Sequence, residues 1–471
     1  MNSIGKGHRG SQGGKRLGAA LILLGGIGSA SALEVHEWGT FTTLSSSAGY
    51  GLSGLYVDAT RLPAFVHGLP YFNYDTSAGW APLERLRHVT VKMETPVLYF
   101  YADRETPVEV KVDFRGGTIS QWYPQCYLGE ANPTAPFVDF AKEPYPGHIA
   151  WKATVLAPGT SLPYATAASG METAEWTAPR NTTANQLRGE QGEIEKFLFY
   201  RGLGNFASPL KLSFHEPDTL VVENTGDEDI PWGMVYERSG PELWYPGGIS
   251  FQGPIPAHGK LRVARPEKFP QYGDANAPMD TLYNHLVLMG LTTQEARALL
   301  NTWYNGYFIE GGLKVFWILP RKQVDGILPL DIRPVPDKVV RVMVGRSEIL
   351  PPEFEQGLYQ AQADGSLAAT YGSHRYYQAY LEFLSHGKDW HLTTSLGRSA
   401  RVGRPAEAKG ARAGWNPPGA GGWAAPWFSG DSHGRMNGKE NGKENGRESE
   451  KSGAFDPRGR RIRPLYPLPG K

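Results

Sequence analysis

The chain has 471 residues, which at roughly 150 per domain allows two or three domains and a substantial core. Its 48 Lys and Arg balance 47 Asp and Glu to a net charge of +1, which excludes nucleic acid or an anionic membrane as the main electrostatic partner. Gly (58), Pro (37) and 12% aromatics favour short strands and turns over a helical bundle, and the single cysteine, Cys126, excludes an internal disulfide or a multi-thiolate zinc site.

The amino terminus reads as a secretory signal over 1–32. Lys6, His8, Arg9, Lys15 and Arg16 precede an apolar run over 17–27, and Ala30-Ser31-Ala32 supplies an A-x-A cleavage site. That run is well short of the ~20 residues needed to span a bilayer. The chain is therefore expected to be exported, periplasmic or extracellular, with a mature start at Leu33 and no transmembrane segment after it. Cys126 is then expected to be a buried, inert thiol.

Residues 33–268 read as one or two antiparallel β-sandwiches. In Val108-Glu-Val-Lys-Val-Asp-Phe114 apolar and charged residues alternate, as in a strand with one face on a core and one in water. Gly116-Gly117 predicts a turn, with 118–123 returning as the partner strand. The apolar run 97–101 suits a strand covered on both faces, with Pro96 and Pro107 marking its ends. Further strands are expected over 149–156, 194–200, 210–214, 219–223, 232–238 and 260–264.

Residues 269–396 read as α+β. Thr292-Thr-Gln-Glu295 fits a capping box, and Ala296, Leu299, Leu300, Trp303 and Tyr307 then form one apolar helical stripe. Strands are expected over 313–319 and 339–344, with a helix opened by Pro351-Pro352-Glu353 and another over 374–385. Residues 397–471 lose apolar periodicity and fill with Gly, Arg, Lys, Ser and Asn, so disorder is expected there, interrupted by Trp415, Trp423 and Trp427. The expected class is thus a β-rich α+β protein with an antiparallel β-sandwich body, a C-terminal α+β portion and a disordered tail.

Four stretches resemble a loose group of secreted bacterial proteins that carry a VHEWGTFT sequence and to which no function is attached. They are Val35-His-Glu-Trp-Gly-Thr-Phe-Thr42, Lys92-Met-Glu-Thr-Pro-Val97, Phe199-Tyr-Arg-Gly-Leu-Gly204 and Val344-Gly-Arg-Ser-Glu348. The resemblance runs over roughly 35–350 and implies a secreted unit of that size. It supplies no fold, cofactor or catalytic residue.

Candidate sites therefore come from the residues themselves. No G-x-S-x-G, P-loop, H-E-x-x-H or Rossmann glycine pattern occurs in the required context. No cofactor is expected and no metal centre is predicted. His36 is the nearest approach to a ligand, and a structural role at a strand start is preferred for it. Glu94, set in an apolar segment, and Glu37, beside Trp38 and Phe41, are the candidate acid pair of a glycan-cleaving enzyme, with Arg201 as a clamp or partner. Trp122-Tyr123 and Trp244-Tyr245 are candidate sugar-stacking platforms. Arg346 is a candidate ligand contact at a strand end, or a partner of Glu348, while Arg341 is expected to face water. Three functions follow. The first is binding or structural, toward an extracellular polysaccharide or another surface protein. The second is a carboxylate-dependent glycan hydrolase using Glu37 and Glu94, and the third a metal-dependent enzyme.

Overall fold

The computed structural model describes residues 32–57, 62–68, 86–128, 138–141, 147–166, 173–238, 247–266 and 277–386. The signal, the tail, and the Trp244-Tyr245 platform lie outside the described residues. Among the described residues the protein is β-rich, with several sheets.

The largest sheet has nine strands. In spatial order they are Gly248–Ile255, Ile230–Arg238, Gly312–Ile318, Lys338–Ile349, Leu33–Ser45, Val91–Ala102, Leu198–Gly204, Gly117–Tyr123 and His67–Gly68. A second sheet runs Ile194–Glu195, Leu187–Gly189, Gly147–Val155, Thr106–Phe114 and Leu330–Arg333, with Tyr127–Leu128 also paired to Gly147–Val155. A three-stranded sheet joins Leu210–Glu216, Thr219–Asn224 and Lys260–Ala264.

Three expectations change. The central pair of the large sheet, Leu33–Ser45 with Lys338–Ile349, is parallel, so the sheet is mixed rather than antiparallel. These strands are buried along most of their length, as parallel strands covered on both faces must be. The sheet also takes strands from both sides of residue 268, so the expected boundary there does not divide it. Finally, Gly116 does turn the chain (φ 78°), but Gly117–Tyr123 pairs with Leu198–Gly204 and not with Thr106–Phe114. The turn passes the chain from one sheet to the other.

The alternating strand behaves as its pattern demands. Val108, Val110, Val112 and Phe114 enter one continuous apolar cluster with Ile149, Trp151, Met93, Leu98, Phe100 and Tyr200, while Glu109 and Lys111 stay exposed. Burying each large apolar side chain contributes roughly 1.5–3 kcal/mol.

Helix Thr293–Tyr304 starts at the expected capping box: Thr292 Oγ1 accepts from the Glu295 amide at 3.1 Å, and the Glu295 carboxylate accepts from the Thr292 amide at 2.7 Å. A π turn, Asn305–Ile309, then extends it. Helix Pro352–Ala363 falls where the sequence places it, while the helix expected over 374–385 starts only at Tyr377 and leaves 374–376 in a turn. Among the described residues no helix is long and apolar enough to cross a membrane.

Candidate functional site

The four stretches that carry the sequence resemblance occupy four consecutive strands at the middle of the large sheet. Their polar side chains converge where that sheet is irregular. The ladder between Leu33–Ser45 and Val91–Ala102 shifts between Trp38 and Thr40, and the ladder to Leu198–Gly204 shifts between Phe199 and Gly202. Pro96 lies inside the strand at this bulge, not at its end, because the missing amide falls where ladder bonds are already lost. Thr95 adopts φ +46°, a left-handed conformation costly for a β-branched residue. Gly39 lets Pro96 pass: a Cβ there would stand 2.9 Å from Pro96 Cα.

Directly opposed residues share a face, so Thr40 with Glu94, Thr42 with Lys92 and Arg346, and Lys314 with Glu348 all project to one side. There Thr42 Oγ1 donates to Glu94 at 2.8 Å, and Arg375 Nη2 donates to both Glu94 oxygens at 3.2 and 3.3 Å. Lys92 Nζ stands 3.7 Å from Glu94 and donates to the Val57 carbonyl at 2.7 Å. Arg346 Nη2 bonds Glu348 at 2.6 Å and Glu310 at 3.0 Å. The Tyr376 hydroxyl donates to Glu348 at 2.7 Å, and that of Tyr307 to Thr40 Oγ1 at 2.7 Å. The guanidinium of Arg346 lies 5.9 Å from the Tyr307 ring centre and that of Arg375 lies 4.8 Å from Tyr376.

Burial alone would raise the pKa of Glu94, but the charges of Arg375, Lys92, Arg201 and Arg346 outweigh it and hold the carboxyl well below the usual range. Glu310 is likewise lowered to about 2: burial opposes this, and Arg346, then Arg375 and Lys314, prevail. Burial, then Arg375, brings His374 down to about 3, so its ring is neutral at physiological pH. A carboxylate held ionised in this way has no proton to give as a general acid near neutral pH.

Glu37 belongs to a different network. It accepts from the Tyr200 hydroxyl at 2.5 Å and from Arg341 Nε at 2.5 Å, and Arg341 Nη1 reaches Asp325 at 2.8 Å and the Leu328 carbonyl at 2.7 Å. Among the described residues none of these partners contacts Glu94, so the two acids lie in separate hydrogen-bond networks. Arg341 is buried on Glu37 rather than turned to water. Arg201 sits within electrostatic reach of Glu94 and bonds Gln121 Oε1 at 3.4 Å, but the hydrogen-bonding arginine of Glu94 is Arg375. Arg375 lies far along the chain, in a loop between helices, where no strand pattern marks it.

His36 is a strut. Its Nδ1 lies 2.8 Å from Glu295 and its Nε2 lies 2.6 Å from Glu34, while Tyr101 donates to Glu295 at 2.8 Å. Among the described residues no group of three or more His, Cys, Asp or Glu is arranged to hold a metal ion. Burial lowers the His36 pKa, yet Glu295 and then Glu34 outweigh burial and raise it above 6.5. A raised histidine pKa contributes stability that is full below the unfolded value and is lost as pH rises through the folded value. Unfolding free energies measured from pH 5 to 9 should decline across that interval in the native chain, and the decline should flatten in His36→Gln.

The sugar-stacking platform at Trp122-Tyr123 is overturned. Both rings are buried, at 4% and 1% exposure. Trp122 sits in the apolar cluster with its Nε1 donating to Gln125 at 2.8 Å, and Tyr123 packs on Phe65 and Trp176. An open cleft instead crosses the second sheet. One part, about 400 Å³, is lined by Glu109, Lys111, Tyr127, Lys152, Asp331 and Arg333 among others. An adjoining part of about 620 Å³ shares Glu109, Lys152, Glu190 and Arg333. Tyr127 stands 75% exposed at its wall. Cys126 beside it is half-buried, and burial pushes its thiol pKa up, away from a reactive thiolate.

No protein-family model matches the sequence, and no curated relative does. Among solved structures, the chain is similar to the Fcho1 mu homology domain of Danio rerio with bound Eps15 peptide, at 7% identity over 68% of this chain and 97% of that one, with a TM-score of 0.24. It is also similar to the yeast delta-COP-I mu-homology domain, at 9% identity over 67% of this chain and 96% of that one, also with a TM-score of 0.24. Likenesses at this TM-score define neither the fold nor a ligand.

Proposed function

We propose that the chain is an exported glycan-binding protein, with the two larger sheets packed as a β-sandwich and the open cleft as the contact surface. The observation that carries this reading is the exposed Tyr127 ring at the wall of a cleft lined by both signs of charge. Across the strands Asp331 opposes Lys111, and Glu109 opposes both Arg333 and Lys152. Such a surface offers donors and acceptors with little net field, which suits a neutral polyhydroxylated chain, and an exposed aromatic face can stack on a sugar ring.

Export is supported by the leader and by the position of Leu33, whose amide nitrogen stands 2.8 Å from Asp337 Oδ2. Cleavage after Ala32 turns that amide into an ammonium beside a carboxylate. A two-carboxylate hydrolase is the less supported reading, since Glu37 and Glu94 lie in separate networks.

The extracytoplasmic product should begin at Leu33 by mass spectrometry and be retarded in gels containing soluble neutral polysaccharide. Tyr127→Ala should lose about tenfold in affinity, the scale of one aromatic contact, with unchanged thermal unfolding. Equal retardation of the native chain and Tyr127→Ala would refute the cleft as the contact surface.

A further inference from the structure

We propose that the buried cluster around Arg346 and Arg375 is a binding site for a tetrahedral oxyanion, a phosphate or sulfate group. The inference does not depend on the glycan reading. Among the described residues, each of these arginines is bonded to carboxylate through Nη2. Among the described residues, Nε and Nη1 of both are buried with no hydrogen-bond acceptor. A buried donor left unmatched costs about 1–3 kcal/mol, and more when the group is charged, so four such nitrogens in one cluster call for an acceptor that the described residues do not supply. Each arginine offers one N–H on Nε and two on Nη1. A carboxylate presents only about four acceptor positions, whereas a tetrahedral oxyanion presents oxygens in several directions at once.

The surroundings favour this ligand. Both arginines are buried, with Tyr307 and Tyr376 beside their guanidinium groups, so side-chain freedom is already restricted before an anion binds. Lys92, Arg201 and Lys314 add positive potential within the same cluster. The carboxylates of Glu94, Glu310 and Glu348 occupy the Nη2 sides, which leaves the other donors for the incoming anion. The cluster meets solvent at Glu310, whose side chain is 38% exposed and which follows the π turn Asn305–Ile309. Single π turns are frequent at functional sites. Gly306 in that turn closes on the donors: a Cβ there would lie 2.9 Å from Arg346 Nη1.

The test is calorimetric titration of the full chain, in chloride buffer at matched ionic strength, with inorganic phosphate, sulfate and glucose 6-phosphate. Saturable one-to-one binding is expected, with a melting temperature that rises with phosphate concentration. Arg375→Lys should bind about tenfold more weakly, the scale of losing one charge-assisted bond. Gly306→Ala, which crowds Nη1 without removing a charge, should also weaken binding, and it carries the test if the arginine variant fails to fold. Tyr127→Ala should bind phosphate as the native chain does. Tighter binding of glucose 6-phosphate than of phosphate would assign the group to a phosphate ester, and the reverse to the free ion. No saturable heat with any of the three, or equal affinity in Gly306→Ala and the native chain, would overturn the proposal.

Discussion

Glu94→Gln is expected to destabilise the protein by about 3–5 kcal/mol, the range for breaking a buried ion pair by removing one partner. The replacement keeps the shape of the side chain but withdraws the charge that faces Arg375 and Lys92, all three being buried. The loss is shared with the residues that bond Glu94. Double-mutant cycles should give a coupling of about 1 kcal/mol or more between Glu94 and Arg375, which are hydrogen-bonded, and a smaller one between Glu94 and Arg201, which interact only through space. Urea unfolding of Glu94→Gln, Arg375→Lys, Arg201→Lys and the two pairs measures both. A loss below about 1 kcal/mol for Glu94→Gln would mean that Glu94 is solvated in solution.

The second large effect is at Glu37. Glu37→Gln should cost about 3 kcal/mol or more, because Arg341 is buried against it and the Tyr200 hydroxyl donates to the same carboxylate. Replacing Glu37 and Arg341 together, by leucine and methionine, should recover most of that loss, since no buried charge is then left without its partner. Phosphate binding should survive in the double variant, as the network of Glu37 has no residue in common with that of Glu94. A double variant no more stable than Glu37→Gln alone would show that the pair holds the strands together rather than merely neutralising itself.

The elements were legible wherever one face meets water or a cap closes a helix. Val108 to Phe114 alternates because only one face is covered, and Thr292 with Glu295 announces its helix because both partners of the cap are local. The central strands were harder to read, since burial on both faces removes alternation, and Pro96 looked like a strand end because a bulge leaves no mark in sequence. The neighbour of the strand after Gly116 is illegible for a related reason: a tight turn fixes the local path, not the sheet that receives the chain.

The candidate site divides along the same line. From sequence alone Glu94 stood out, because a carboxylate in an apolar run must find a partner, and Arg346 with Glu348 could be read as a pair just past a strand end; the strand in fact runs on to Ile349 and carries both on one face. Tyr307, Arg375 and Tyr376 read from sequence only as helix residues and Glu310 as a loop residue; that they meet Arg346 and Glu94 is set by packing alone. Glu37 and Glu94 looked alike in sequence and were separated by tertiary structure, which gave one to Arg341 and the other to Arg375. Local chemistry determines that each buried charge must be matched; which cation matches it depends on sheet register and on the chain crossings that carry residues 338–349 and 375 back to the first strand.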